Sequence, residues 1–179
     1  MICEKRHNQT IEDVVALEKI CHKVITVPRK KQWSPQNLLK SAFSSHSFLV
    51  TGHTSVQMRQ QIEKQLAENI FDLIHVETFY VLQNVPPVTI PIVLVEHNIE
   101  YLVYQRFMQL IPFTFRPLLS IDIRKIKQEE ESAWERVKSI VAVSEDDKKI
   151  MATKSITASV VANGVDTKKF SSKSLSSEF

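Results

Sequence analysis

Two short apolar runs, residues 73–76 and 92–95, each end abruptly in polar side chains: Glu77 after the first, and Glu96, His97 and Asn98 after the second. Continuous β-branched runs of this length suit parallel strands covered by helices on both faces, and in such sheets ligands sit outside the carboxyl ends of the strands. The pattern recurs at 24–27, ending at Pro28, at 139–143, ending at Ser144, and at 157–161, which turns out through Ala-Asn-Gly-Val-Asp at 162–166. Ile2 and Cys3 read as the end of a further strand. Polar residues at these strand ends are therefore the first place to look for function.

Between the strands the apolar period becomes helical. Thr10, with Asp13 three places on, opens a segment whose Val14, Leu17, Ile20 and Cys21 share a packing face. Trp33-Ser34-Pro35 starts a second helix, with Ser34 as cap, Pro35 at the first helical position, and Leu38, Leu39 and Phe43 following on one side. Residues 44–55 read as a polar linker around a short strand at 48–50, with His46 and His53 at the surface. A helix over 56–69 follows. The Pro-rich stretch 79–89 predicts a crossover with a helical turn at most. A helix opening at Asn98 or Glu100 carries Tyr101, Leu102, Tyr104 and Phe107, a face that suits a core or the stacking of sugar rings. The longest helix spans 116–138, with Leu119, Ile123, Ile126, Ala133, Trp134 and Val137 as its buried stripe. Glu129, Glu130 and Glu131, with Lys125 and Lys127, are assigned to its solvated face. Ser144 caps a last short helix with Asp147 three residues on.

Length and composition narrow the class. At 179 residues and 43% hydrophobic, the chain suits one domain with a real core. The expected division is a domain over 1–169 and a Ser-rich tail or interdomain linker over 170–179. A formal charge of +3, with 23 basic and 20 acidic residues intermixed, is not a nucleic-acid footprint. The clusters Arg29-Lys30-Lys31 and Lys148-Lys149 read as solvated faces, with an anionic membrane surface or a phosphate-bearing substrate as the alternative. Cys3 and Cys21 are the only thiols, without metal-site spacing, which fits a reduced, cytoplasmic setting. The charged N-terminus lacks a signal-peptide core, and the longest apolar run, broken by Pro86, Pro87 and Pro91, is too short to span a bilayer. Only two glycines occur, Gly52 and Gly164, so neither a Gly-x-Gly-x-x-Gly loop nor a Walker-type phosphate loop exists in this chain.

The order of the pieces resembles the N-terminal half of a family-4 glycosyltransferase of the GT-B type. The resemblance is carried by Asp-Leu-Ile-His-Val-Glu (72–77), Pro-Ile-Val-Leu-Val-Glu-His-Asn (91–98), the Glu-rich helix with Trp134, Ser-Ile-Val-Ala-Val-Ser-Glu (139–145), and Val-Val-Ala-Asn-Gly-Val-Asp (160–166) with Phe170. It runs over 71–170 and more weakly back to Thr10. It implies a three-layer Rossmann-like domain with a mostly parallel sheet flanked by helices, the acceptor-side half of a retaining hexosyltransferase that needs no metal ion. The absence of an Asp-x-Asp pair agrees with that.

His97 matches the family's His beside the reacting sugar and is the candidate catalytic residue. Glu77, Asn98, Ser144, Glu145, Asn163 and Gly164 are candidate substrate-binding positions, with Asp166 in the segment leading to the interdomain hinge. Simpler roles stand beside these. His97 can cap the helix that follows it, Ser144 can serve as a cap alone, and Gly164 suits a turn at positive φ. Relative to the family pattern, the chain is expected to start after the first strand with its Gly-rich loop and to lack the C-terminal half that binds the nucleotide sugar. No cofactor is expected, and a nucleotide-sugar donor only with that missing domain. The expected partners are a glycan or lipid-linked acceptor, no nucleic acid, the inner membrane face as a peripheral contact, and another chain paired at an exposed sheet edge. The alternative function is a non-catalytic α/β module that binds a partner protein or glycan.

Overall fold

The structure, a computed structural model, describes residues 1–167 apart from His7 and Lys30. Its elements follow the chain as β1 (Ile2–Lys5), α1 (Ile11–Glu18), β2 (Ile25–Pro28), α2 (Pro35–Ala42), α3 (Phe48–His53), α4 (Val56–Glu68) and β3 (Ile74–Glu77). A 3₁₀ helix, Phe79–Asn84, leads to β4 (Ile92–Glu96). Then come α5 (Glu100–Met108), a 3₁₀ turn at Phe113–Phe115, α6 (Arg116–Arg136), β5 (Ser139–Ala142), α7 (Glu145–Ala152) and β6 (Ala158–Val160). The expected tail over 170–179 lies outside the described residues.

Every strand ladder is parallel. The order β3-β4-β5-β6 makes a four-stranded sheet, with Glu77 opposite Val95 and Glu96 opposite Ala142, so consecutive strands end nearly level. The expected sheet is nevertheless in two pieces, because among the described residues β1 pairs only with β2. On β3 the amides of Ile74 and Thr78 donate toward β4. The alternate amides of His75 and Glu77 therefore point to the outer edge, where no strand pairs among the described residues.

The core gathers Val76, Leu94, Ile140 and Ala142 from the sheet, Phe79 and Leu82 from the 3₁₀ helix, and Ile123, Ile126, Ala133 and Trp134 from α6. Tyr101 is buried and Leu102 and Tyr104 pack against the core, whereas Phe107 is half exposed. The aromatic face of α5 is thus mostly core.

Four expectations are corrected. Residues 48–50 are not a strand but the first turn of α3, because Ser47 caps it, its Oγ accepting from Val50 N at 3.2 Å. Its partner His53 is buried rather than superficial: its Nδ1–H donates to Leu49 O at 2.9 Å, and Gln32 and Arg29 meet the ring. The apolar side chains of α1 and α2 do not all pack. Ile20, Leu39 and Phe43 stand 84%, 59% and 87% exposed.

The fourth correction concerns α6, whose charged side chains are not a solvated face. Asp122 accepts from Phe48 N at 2.8 Å and Glu129 from Ser47 N at 3.1 Å, so both serve the first amides of α3. Lys125 donates to the carbonyls of Ser41 and Ser44, at 2.7 and 2.8 Å, where α2 ends. Lys127 lies 5.1 Å from the Tyr101 ring centroid, and Glu130 is fully buried. Helix ends present unpaired amides and carbonyls, and α6 supplies their partners from the side.

Asn84 fastens the 3₁₀ helix to the α3–α4 junction, accepting from Ser55 N at 2.7 Å and donating to His53 O at 2.9 Å. Asn84→Ala leaves both backbone groups buried and unpaired. It should cost about 3 kcal/mol of stability in urea unfolding, whereas Lys138→Ala on the surface should shift stability by less than about 0.5 kcal/mol.

Candidate functional site

The level ends of β3 and β4 bring Glu77 and His97 together. His97 Nε2–H donates to Glu77 Oε2 at 2.7 Å, and His75 Nε2 lies 3.1 Å from Glu77 Oε1. His75 and Glu77 are two apart on β3 and so share a face of the strand. One carboxylate thus orients the His97 ring and stands beside that of His75, all three side chains being about half exposed. Donation from Nε2 leaves the lone pair of the neutral His97 ring on Nδ1. His97 does not cap α5, because the N-cap is Ile99.

Glu96, one residue earlier on β4, alternates to the opposite side and is 1% exposed. Its Oε1 accepts from Trp134 Nε1 at 3.1 Å and its Oε2 from Phe79 N at 3.4 Å. Glu130 closes the other end of the loop, accepting Glu100 N at 2.8 Å and Tyr101 N at 3.1 Å. Ile99 has no polar side chain with which to cap α5, and Glu130 performs that task from α6. Residues 97–99 are therefore held between two buried carboxyl groups, one at each end.

Burial decides the protonation of this pair. It drives the Glu96 carboxyl well above the ordinary range, the charge of Glu130 adds to the rise, and the Trp134 and Phe79 donors oppose it. Glu130 is raised to about 8 by burial, against the lowering effect of its two backbone donors. Glu100 beside them is raised by burial as well. His53, outside this cluster, is lowered chiefly by burial.

Thr78, between Glu77 and the 3₁₀ helix, has φ 72° and ψ 143°. A β-branched residue rarely adopts positive φ. It is held there by its own amide, which donates to Val95 O at 2.8 Å, and by Phe79, whose amide meets Glu96 and whose ring is buried. The bend stores about 1–3 kcal/mol and sets the exit of the chain directly behind Glu77.

The remaining candidates follow along the same edge, strand by strand. Ser144 lies two residues past β5 and caps α7, its Oγ accepting from Asp147 N at 3.1 Å and donating to Asp147 Oδ2 at 2.6 Å. Glu145 is exposed in the first turn of α7, with Lys148 Nζ at 3.9 Å. Asn163 and Gly164 are exposed beyond β6. Gly164 is not at positive φ, and a Cβ there would meet nothing within 4 Å, so its backbone conformation does not require glycine. Of the candidates, only Glu77 and His97 are hydrogen-bonded to each other among the described residues. Asn98 is exposed beside them.

Sequence reasoning passed over the carboxyl groups of Glu96 and Glu130 and the indole of Trp134. For Glu130 a signal existed: positions 119, 123, 126, 130, 133 and 137 step by three and four residues, so Glu130 fills a place in the buried stripe that an apolar residue would normally take.

A parallel α/β domain whose polar groups gather at the carboxyl ends of its strands belongs to the Rossmann-like class. Within that class, the sequence model of Glycosyltransferase Family 4 matches residues 14–169, and the chain belongs to that family. No curated protein matches the chain.

Two outcomes follow from the buried groups. The folded protein retains on Glu130 a proton that the unfolded chain releases near pH 4.5, so this contribution is complete below pH 4.5 and fades as pH rises through about 8. The stability difference between wild type and Glu130→Gln, measured by urea unfolding, should therefore shrink by a few kcal/mol between pH 5 and pH 9. At Thr78, replacement by glycine removes the strain and should leave stability unchanged or raise it by up to about 1 kcal/mol, while Thr78→Val should gain nothing.

Proposed function

We propose that this chain is the acceptor-side domain of a GT-B glycosyltransferase, transferring a sugar from a nucleotide-sugar donor to a glycan or lipid-linked acceptor. The observation that carries this reading is the carboxylate-oriented imidazole, His97 on Glu77, at the polar edge of a parallel sheet in a family-4 chain. A ring fixed by a partner on one nitrogen presents the other for a defined hydrogen bond. Here Nδ1 is available to a sugar hydroxyl, with Asn98 beside it as a second donor and acceptor. Glu77 orients His97 and borders the acceptor. Ser144, Glu145, Asn163 and Gly164 continue the same edge toward the donor side, with the Ser144 hydroxyl already engaged in its cap.

Transfer breaks the bond between the anomeric carbon and the donor diphosphate and makes one to the acceptor oxygen, whose proton leaves with the phosphate; the reading includes retention at the anomeric carbon. Stabilising the departing diphosphate needs concentrated positive charge or converging amides. Two glycines in 179 residues build no phosphate loop, so that task falls to a donor-binding domain, and these residues alone are proposed to be inactive. The reading also includes a cytoplasmic setting with peripheral contact at the inner membrane face. Among the described residues no helix is long and apolar enough to cross a membrane. The unpaired outer edge of β3 favours pairing with another chain.

Titrating glycan and lipid-linked acceptors should perturb the NMR resonances of Glu77, His97 and Asn98, whereas nucleotide sugars alone should perturb none of them. With a donor-binding domain supplied, His97→Ala should lower transfer by about 10²–10⁴-fold and Glu77→Gln by about 10–100-fold. Unchanged transfer in His97→Ala would refute the assignment, and acceptor binding without transfer under any donor would favour the non-catalytic module.

A further inference from the structure

β1 and β2 end level, Lys5 opposite Pro28, and their ladder runs one residue further, the Arg29 amide donating to Lys5 O at 3.0 Å. Arg29 therefore stands at the carboxyl end of a parallel pair, the place where ligands meet such sheets. Its guanidinium is held along one side. Glu4 Oε2 lies 3.5 Å from Nε, and Nη2 donates to His53 Nε2 at 3.2 Å. The buried His53 ring is fixed in turn by its own Nδ1–H on Leu49 O and by the Tyr80 ring, whose centroid is 4.3 Å away. With the proton on Nδ1, Nε2 accepts from Arg29 and the ring adds no charge.

These contacts leave the end of the guanidinium. Nη1 has no partner among the described residues, and the Arg29 side chain is 24% exposed. Nη1 and Nη2 together carry the parallel N–H pair that forks a phosphate or a carboxylate. The loop that follows is tied down as well. Asn37 Nδ2 donates to Gln32 O at 2.9 Å and to Lys31 O at 3.3 Å. Gln32 meets the His53 ring and packs over Gly52, where a Cβ would lie 3.4 Å from its Cγ. Lys31 is exposed, two residues beyond Arg29. Residues 19–62 hold seven of the 23 basic residues and none of the 20 acidic ones. Among the described residues Glu4 is the only carboxylate paired with Arg29, so with Lys31 the positive charge is in excess.

The 3₁₀ helix joins this cluster to the edge that carries His97. Tyr80 is the third residue after Glu77, so their Cα atoms lie within about 11 Å of each other. That helix leaves β3, which is separated by β4 from β5 and β6. Arg29 is thus on the opposite flank of the Glu77–His97 pair from Ser144, Glu145, Asn163 and Gly164.

We infer that Arg29, with Lys31 beside it, is a binding site for a phosphate group, and that the acceptor taken by this domain is a phosphate ester. The site itself rests on the geometry around Arg29, while its assignment to the acceptor rests on the transferase reading. A preorganised fork with a second cation close by suits a dianionic phosphate better than a carboxylate. Because the site lies away from the β5–β6 side, the phosphate it holds belongs to the acceptor and not to the departing diphosphate of the donor. An acceptor anchored at Arg29 offers a hydroxyl to His97 Nδ1 in a fixed orientation.

The test is a titration of the full chain, read by NMR at the Arg29 Nε–H and the Lys31 amide. Inorganic phosphate, glucose monophosphate and geranyl phosphate stand for the free ion, a sugar ester and a lipid ester, with glucose as the neutral control. Saturable shifts at both residues are expected from each phosphate and none from glucose, with binding that weakens as salt rises. An ester should bind tighter than inorganic phosphate, and which one does so separates a soluble from a lipid-linked acceptor. Arg29→Lys keeps the charge but loses the fork and should weaken binding about tenfold, with wild-type circular dichroism. Lys31→Ala, at an exposed side chain, should weaken it about threefold, and Lys149→Ala should leave it unchanged. Shifts spread evenly over exposed lysines such as Lys40 and Lys149 would overturn the site, as would binding that Arg29→Lys and Lys31→Ala leave intact. Esters that bind no tighter than inorganic phosphate would overturn the acceptor assignment. Phosphate binding is read without His97 or sugar transfer. Should phosphate shift Arg29 while no acceptor perturbs His97, the transferase reading fails and the site stands; the reverse result removes the site alone.

Discussion

The fold depends on helix ends that are completed by another helix. Ile99 is the N-cap of α5 and Ser47 that of α3, and neither helix satisfies all its first amides locally. Asp122, Glu129 and Glu130 on α6 accept those amides, while Lys125 takes the carbonyls where α2 ends. Hydrogen bonds to ionised groups contribute about 1.5–3 kcal/mol each, and the positive end of a helix dipole adds to those made by carboxylates; Glu130, which holds its proton up to about pH 8, accepts as a neutral group below that. α6 therefore fixes where three other helices start or stop.

That constraint reaches the polar edge through one short loop. Residues 97–99 lie between Glu96, which binds the Trp134 indole, and Glu130, which holds the first two amides of α5. Both carboxyl groups are buried, and burying two of them close together is tolerable only when one stays protonated or the donors around them compensate. The cost is concentrated directly behind His97, as is the strained Thr78 behind Glu77. The ring and its carboxylate partner are thus presented by a rigid frame, while their own side chains remain half exposed.

A second division separates the two ends of the molecule. Around the sheet the α6 charges are consumed internally, but farther along the same helix the apolar side chains lose their partners and the nearby acids disappear. The helix is stable at both ends for different reasons: packing on the core in its second half, and in its first half its contacts with α5 and the α2–α3 unit. The apolar residues outside those contacts are left for whatever meets that face.

The strands and their polar ends were legible in the sequence because a buried parallel strand must be apolar throughout and must stop where polar residues begin. That rule located β2 to β6 within a residue or two, and with them Glu77, His97 and Asn98. Caps that close on their own residues were equally legible: Ser34 and Ser144 bind amides three positions away. What sequence spacing could not decide was any partner from a distant element. Residues 48–50 are β-branched and aromatic enough for a strand, yet α6 supplies acceptors for the first amides of a helix there. A Glu-rich turn looks solvated until α3 and α5 are placed against it. The pairing of His97 with Glu77 depends on two strands ending level, and the exposure of Phe43 on what α2 fails to touch. The local pattern determined which segments form strands and helices, because that depends on near neighbours. The tertiary structure alone decided which charges are buried and which apolar faces stay open, because both depend on what lies opposite.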